Sequence, residues 1–362
     1  MEKKLGFGLM RLPLLDQNDP GSIDFAKLQN MVDTFMERGF TYFDTAWMYC
    51  GSKSESAVKE VLTTKYPRDS YTVTSKLPSG ALEDKAARDT LFNTQLERTG
   101  LEYFDYYLLH AVSGGNIGRF EELDCFTWLK DKKAKGLVKN IGFSYHDGPE
   151  LLDKLLTEHP EMDVVQLQIN YLDWKNPKVQ SKACYDVAVK HGKKILIMEP
   201  VKGGALANVP ENVQTMFYNS DPKMSVASWA VRFAASLPNV FMVLSGMSNM
   251  EQVLDNTGFM MDFKPLTEEE MKMVLFAGKV ISKDMKIACT GCAYCLDQCP
   301  RKIAIPQYFK FFNEDADKAL YEKLTLDHGK ASDCIVCGAC EKICPQHLPI
   351  RKYLRDVAAK FE

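Results

Sequence analysis

Along the first 260 residues, short runs rich in β-branched and aromatic residues alternate with stretches whose apolar positions fall three and four apart. The runs LGFGLM (5–10), TYFDTA (41–46), YTVTSK (71–76), YFDYYLLH (103–110), NIGFS (140–144), VVQLQIN (164–170), KILIMEP (194–200) and VFMVLSG (240–246) predict eight strands. Segments such as FAKLQNMVDTFMERG and ESAVKEVLTTKY predict amphipathic helices between them. Eight βα units in this length predict an α/β fold of the (β/α)8 TIM-barrel type, in which chemistry gathers at the C-terminal ends of the strands. An open doubly wound sheet is the alternative, weakened because no GxGxxG follows the first strand.

The pattern changes after residue 262. Thr267 and Glu270 form a T-x-x-E capping box that predicts a helix running to about Lys283. Beyond it the motif C-x2-C-x2-C-x3-C-P occurs twice, at 289/292/295/299 and at 334/337/340/344, a duplication with a period of 45 residues. The intervening residues are apolar at helical intervals. Three parts are therefore expected: a barrel over 1–262, a connecting helix over 263–284, and a mostly helical, ferredoxin-like dicluster domain over 285–362.

Composition narrows the function. A chain of 362 residues with 46% hydrophobic content can bury a large core. The formal charge of −3 leaves no general basic surface for a nucleic acid or an anionic membrane, and neither partner is expected. The N-terminus MEKKLGFGLMRLP lacks the apolar core of a signal peptide, so a cytoplasmic protein is expected. Of eleven cysteines, eight fall between Cys289 and Cys344, which suits a metal-binding segment better than a disulfide scaffold. Cys125 and Cys184 read as buried apolar fillers.

Cysteine thiolates bind soft iron, and the x2, x2, x3 spacing wraps three sulfurs round one cube while aiming the fourth at another. Two [4Fe-4S] clusters are expected: one on Cys289, Cys292, Cys295 and Cys344, the other on Cys334, Cys337, Cys340 and Cys299. A structural zinc pair would not need the third cysteine of each motif. In the barrel, Asp44 and His110 end the second and fourth strands, Lys76 ends the third, and Tyr49 follows the second, so four titratable groups share one rim. A free tyrosine is a poor acid at neutral pH, but the Lys76 ammonium is expected to lower its pKa, with Asp44 holding Lys76 and His110 orienting a carbonyl. Tyr49 is the candidate proton donor.

The elements FDTAxxY, SK and LLH, followed by GLVKNIGFS and then the paired cysteine motifs, resemble the aldo-keto reductase superfamily, in the branch fused to a C-terminal ferredoxin-type 4Fe-4S domain. The resemblance implies an Asp44, Tyr49, Lys76, His110 tetrad and hydride transfer from NADH or NADPH bound across the C-terminal mouth. It further implies Ser144 and Gln166 on the nicotinamide carboxamide, Lys202, Gly203 and Gly204 round the pyrophosphate, and Asn256 on the adenine. Met198 stands where many members stack an aromatic on the nicotinamide, and Gly246 and Gln252 stand where NADPH-preferring members carry basic residues, which points to NADH or to weak nucleotide binding. Where the family pattern has Asn after the serine of strand five, this chain has Tyr145. Trp47, Tyr145, His146 and Trp174 are candidates for the substrate pocket.

The leading reading is an oxidoreductase that moves a hydride between a nicotinamide and an aldehyde, ketone or alcohol. A hydride carries two electrons and a cluster takes one at a time, so a flavin at the barrel mouth, fed by the clusters from a ferredoxin or other redox partner, is the first alternative. A non-catalytic electron-transfer or redox-sensing module is the second.

Overall fold

The computed structural model describes residues 3–17 and 19–362. Eight parallel strands close into a barrel in sequence order: β1 Leu5–Gly8, β2 Tyr42–Asp44, β3 Thr72–Pro78, β4 Phe104–Val112, β5 Val138–Tyr145, β6 Val164–Gln168, β7 Lys194–Met198 and β8 Val240–Gly246. Every one of the eight predicted runs supplies a strand, shifted by a few residues at its ends. Among the described residues, no helix is long and apolar enough to cross a membrane.

Alternation along the strands sorts the side chains into two cores. Tyr42, Leu108, Val164, Leu196, Met242 and Leu244 pack together as one cluster. Strand residues of the opposite phase, including Phe7, Phe43, Val73, Leu109, Phe143, Ile195 and Val243, join the larger core beneath the surrounding helices. This period of two also places the candidate site. Asp44 lies two residues beyond Tyr42, and His110 lies two beyond Leu108, so both project to the inside one layer nearer the C-terminal rim.

β4 is irregular where it meets β5, with the register shifting between Leu109 and Val112. Ala111 sits there in the left-handed region at φ 55°. Its N–H donates to Ser144 Oγ at 2.7 Å and its carbonyl accepts from Asn116 Nδ2 at 2.9 Å, so side chains hold a bend that alanine alone disfavours. The bend immediately follows His110 and fixes its direction.

The capping box at Thr267 and Glu270 is formed, and the helix Glu268–Asp284 buries Val274, Ala277 and Ile281 in the barrel's outer core. The remaining residues build a second, mostly helical core in which Ile303, Tyr308, Phe309, Tyr321, Leu354, Val357 and Phe361 pack with Cys295 and Cys340.

Gly142 in β5 has no room for a side chain. A Cβ there would stand 2.0 Å from the carbonyl oxygen of Val164 in β6. Gly142→Ala is expected to push these strands apart and to cost about 3 kcal/mol, the upper part of the range for overpacking. Thermal unfolding of the anaerobically prepared protein checks this, and an unchanged midpoint would contradict it.

Candidate active site

The structure brings Asp44, Tyr49, Lys76 and His110 together at the C-terminal rim. Lys76 is 1% exposed. Its ammonium donates to Asp44 Oδ1 at 2.6 Å, to the Thr45 carbonyl at 2.9 Å and to the Tyr49 hydroxyl at 3.4 Å. The His110 ring meets the Tyr49 ring edge-on, with centroids 5.9 Å apart.

Behind Lys76 lies a polar network that the sequence reading did not anticipate. Ser75 Oγ and Gln95 Nε2 both donate to Glu55 Oε1, at 2.7 and 2.6 Å, and Gln95 also donates to the Lys76 carbonyl at 3.1 Å. This ties the end of β3 to the helices behind it and fixes the backbone that carries the ammonium.

Electrostatics differ from the expectation for Tyr49. Burial holds its phenol well above the ordinary range, the Asp44 carboxylate adds to this, and a hydrogen bond from Tyr294 opposes it. The Lys76 charge does not bring the phenol down because Asp44 sits directly on it and the pair has little net field. Within that pair burial raises the Asp44 carboxyl and lowers the Lys76 ammonium, each opposed by the other's charge. Burial, with the charges of Lys76 and His146, holds His110 well below its usual value. At neutral pH the site therefore presents a protonated phenol and a neutral imidazole.

Tyr294 belongs to the first cysteine motif, between Cys292 and Cys295, and its hydroxyl reaches into the barrel to stand 3.3 Å from His110 Nε2. The cysteine-bearing domain is thus seated on the barrel mouth. Arg11 Nη2 donates to the Thr290 carbonyl at 2.7 Å. Gln346 and Gln168 exchange amide hydrogen bonds at 2.8 and 3.1 Å across the same junction. A Cβ on Gly203, which sits at φ 64°, would lie 2.2 Å from the Thr290 carbonyl oxygen, so only glycine lets the two backbones approach there.

Several residues assigned to a dinucleotide are engaged elsewhere. Lys202 is 2% exposed, and it donates to both carboxylate oxygens of Asp173 at 2.8 and 2.7 Å and to Gln346 Oε1 at 2.9 Å. Its charge is spent inside the protein, because Asp173 from the segment after β6 reaches it first. Asn256 is buried and donates to Ser245 Oγ at 2.8 Å, while Ser144 holds the bend at Ala111. Gly204 lies with Gly203 in a tight turn after β7. Gln252 accepts from the Ser248 N–H at 2.7 Å, and the Arg11 side chain packs along Gly246 on its way to Thr290. Met198 ends β7 half-buried. Gln166 alone keeps a buried acceptor, Oε1, without a partner.

Of the four pocket candidates, Tyr145 and His146 line a narrow cleft closed on its other side by Pro345 and His347 of the C-terminal domain. The other two are corrected by the structure. Trp174 packs in the core against Tyr185 and Phe233, and Trp47 lies under the Arg98 guanidinium, 3.7 Å from its ring centroid.

The cysteines assemble in two groups that each cross the motifs. Cys299, Cys334, Cys337 and Cys340 line one small cavity. Cys289, Cys292, Cys295 and Cys344 lie close enough to feel one another's charge. Backbone N–H groups of Gly291 and Tyr294 face the sulfurs of Cys289 and Cys292. Among the described residues, no three His, Cys, Asp or Glu side chains converge closely enough for a single ion. Sulfurs arranged round a four-iron cube stand farther apart than sulfurs round one ion, so four thiols grouped across the two motifs suit a cube better than a single ion.

The sequence carried a signal for Tyr294 in its position inside the motif, but none for Arg11, Asp173, Gln346 or Glu199. The Glu199 carboxyl is pushed up by burial and flanked by the charges of Arg11 and Lys202.

Comparison with known proteins agrees with this arrangement. Residues 4–275 match the model of the aldo/keto reductase family, and residues 288–349 match that of the 4Fe-4S dicluster domain. An aldo-keto reductase of Mycolicibacterium vanbaalenii is 27% identical over 252 residues, 69% of this chain and 83% of that protein. A 9,11-endoperoxide prostaglandin H2 reductase of Trypanosoma cruzi is 24% identical over 273 residues, 73% of this chain and 87% of the other. Among solved structures, an aldo-keto reductase from Klebsiella pneumoniae in complex with NADPH superposes with a TM-score of 0.59 at 18% identity, covering 75% of this chain and 89% of that one.

Asp173→Ala strands the buried Lys202 ammonium at the junction of the two domains. Removing one partner of such a pair costs about 3–5 kcal/mol. Denaturant unfolding followed by tryptophan fluorescence is expected to show a loss of this size, and a loss below 1 kcal/mol would contradict the buried pairing.

Proposed function

The chain belongs to the aldo/keto reductase family, and from that premise we propose that it is an oxidoreductase acting on an aldehyde or ketone, or on the matching alcohol, with Tyr49 as the acid and base. The observation that carries this reading is that Tyr49, with its hydroxyl on the Lys76 ammonium, and His110 stand together at one rim with ring centroids 5.9 Å apart, beside the Tyr294 hydroxyl. A carbonyl oxygen placed between them accepts hydrogen bonds from both groups. Reduction to the alcohol adds two electrons and one hydrogen at carbon, the equivalent of a hydride, and one proton at oxygen, which Tyr49 gives. Lys76 then stabilises the phenolate, and Asp44 keeps the ammonium in place.

Cys289, Cys292, Cys295 and Cys344, with Cys334, Cys337, Cys340 and Cys299, are the residues that would hold two [4Fe-4S] clusters, through which the C-terminal domain would supply electrons. Such clusters supply or accept single electrons when bound. The first group supports this role through Tyr294, which spans from the Cys292 loop to His110. The second supports entry from outside, since Ile335, Val336 and Ile343 are exposed beside its cysteines and offer an apolar face to a ferredoxin-like donor.

A second reading keeps a nicotinamide as the hydride source. The unpartnered Gln166 Oε1 favours it, as an acceptor suited to a carboxamide N–H, and so does the NADPH carried by the Klebsiella protein. The phosphate end does not fit with the domain seated, because Lys202 is bound to Asp173 and Gly203 is covered by Thr290. No comparable observation favours a flavin.

Tyr49→Phe is expected to lower turnover of 4-nitrobenzaldehyde by about 10²–10⁴-fold, the usual worth of a positioned acid, with cluster absorption unchanged. Turnover within twofold of the parent would end the proposal for Tyr49. The phenol must be protonated for reduction and burial raises its pKa. The reductive kcat/KM is therefore expected to stay level through neutral and mildly alkaline pH and to fall only at strongly alkaline pH. A decline centred near neutrality would contradict this.

A further inference from the structure

The reading above puts a substrate oxygen between Tyr49 and His110, and in this structure that place is taken. The Tyr294 hydroxyl lies 3.3 Å from His110 Nε2, and its ring meets the His110 ring edge-on, as the Tyr49 ring does. Like a carbonyl oxygen, it is a single oxygen on a flat, unsaturated carbon frame. One point between two hydrogen-bonding groups admits one oxygen.

We propose that Tyr294 is a built-in occupant of the substrate-oxygen seat, a specificity-determining residue that a carbonyl substrate must displace. This rests on the carbonyl reading of the tetrad. Because a phenol ring already fits the approach to the seat, the favoured substrates are aryl or similarly flat carbonyl compounds. Tyr145, His146, Pro345 and His347 line a narrow cleft between the barrel and the C-terminal domain, and His146 Nδ1 is buried without a partner.

Displacement is felt by the cysteine loop. The Tyr294 N–H faces the Cys292 sulfur, and Ala293 before it is held at φ 66°. Thr290 is pinned to the barrel by Arg11 and pressed on Gly203, and Cys295 is buried at the other end. With both ends tied, a change at the ring has only the few residues between them to bend. Occupancy of the barrel site and the setting of Cys292 are thereby coupled.

The test uses the whole chain with its clusters. Tyr294→Gly removes a group the shape of p-cresol, so anaerobic calorimetry with p-cresol is expected to show saturable binding, one per chain, at least tenfold tighter than to the parent protein. Equal binding to both proteins, or none to a variant that retains its cluster absorption, overturns the proposal. Should Tyr294→Gly fail to fold, Tyr294→Phe keeps the ring and loses the hydrogen bond to His110. The seat is then open for a larger fraction of the time, and kcat/KM for 4-nitrobenzaldehyde is expected to rise several-fold through KM. An unchanged or lowered kcat/KM overturns the proposal. Failure of the carbonyl reading is seen separately, as turnover that survives Tyr49→Phe.

Discussion

A lysine ammonium sealed inside a barrel has to be compensated, and the 2.6 Å contact of Lys76 with Asp44 is the constraint from which the site follows. An isolated charge at that depth would cost many kcal/mol, so the pair forms or the lysine stays neutral. With Asp44 on one side and the Thr45 carbonyl on another, the remaining direction of the ammonium is toward Tyr49. The tyrosine stays a protonated acid in the resting protein and gains a stabilised phenolate only after giving up its proton. An arrangement of this kind favours the transition state over the ground state.

The second organising feature is the way the cysteine-bearing domain sits on the mouth. Its contacts are specific rather than broadly apolar: a guanidinium on a carbonyl, a reciprocal pair of glutamine amides, a buried lysine shared with Asp173, and a glycine pressed against backbone. These bring the loop of Cys289, Cys292 and Cys295 against the tetrad, with Tyr294 as the shared wall. They also cover the loop after β7 that a dinucleotide's phosphates would need. The geometry that joins the two domains is the same geometry that disfavours a nucleotide lying across the rim.

Much of this was legible in the sequence, for physical reasons that can be named. Strand alternation and the even spacing of the runs carry the barrel, and the same period of two sends Asp44 and His110 inward at one rim. The doubled cysteine spacing carries the pairing of Cys344 with the first motif and Cys299 with the second. What could not be read depends on contacts between segments far apart in the chain. Lys202 beside two glycines looks like a phosphate ligand until Asp173 is found on it. The directions of the Trp47 and Trp174 rings are decided by helix packing. The Tyr49 phenol was expected to be lowered by Lys76, but burial and the Asp44 charge outweigh that effect. Tyr294 was not singled out, because its reach into the barrel depends on how the two domains dock.

The central claim is that the tetrad and the cysteine domain form one electron path. Its most direct test is a single-turnover experiment. Protein with chemically reduced clusters and no nucleotide is mixed anaerobically with benzaldehyde, and cluster absorption is followed while the alcohol is measured. Reduction of one carbonyl takes two electrons and two protons, and two clusters release one electron each. The account predicts reoxidation of both clusters with one alcohol formed per chain. Clusters that stay reduced, while NADH or NADPH alone drives carbonyl reduction, would contradict it.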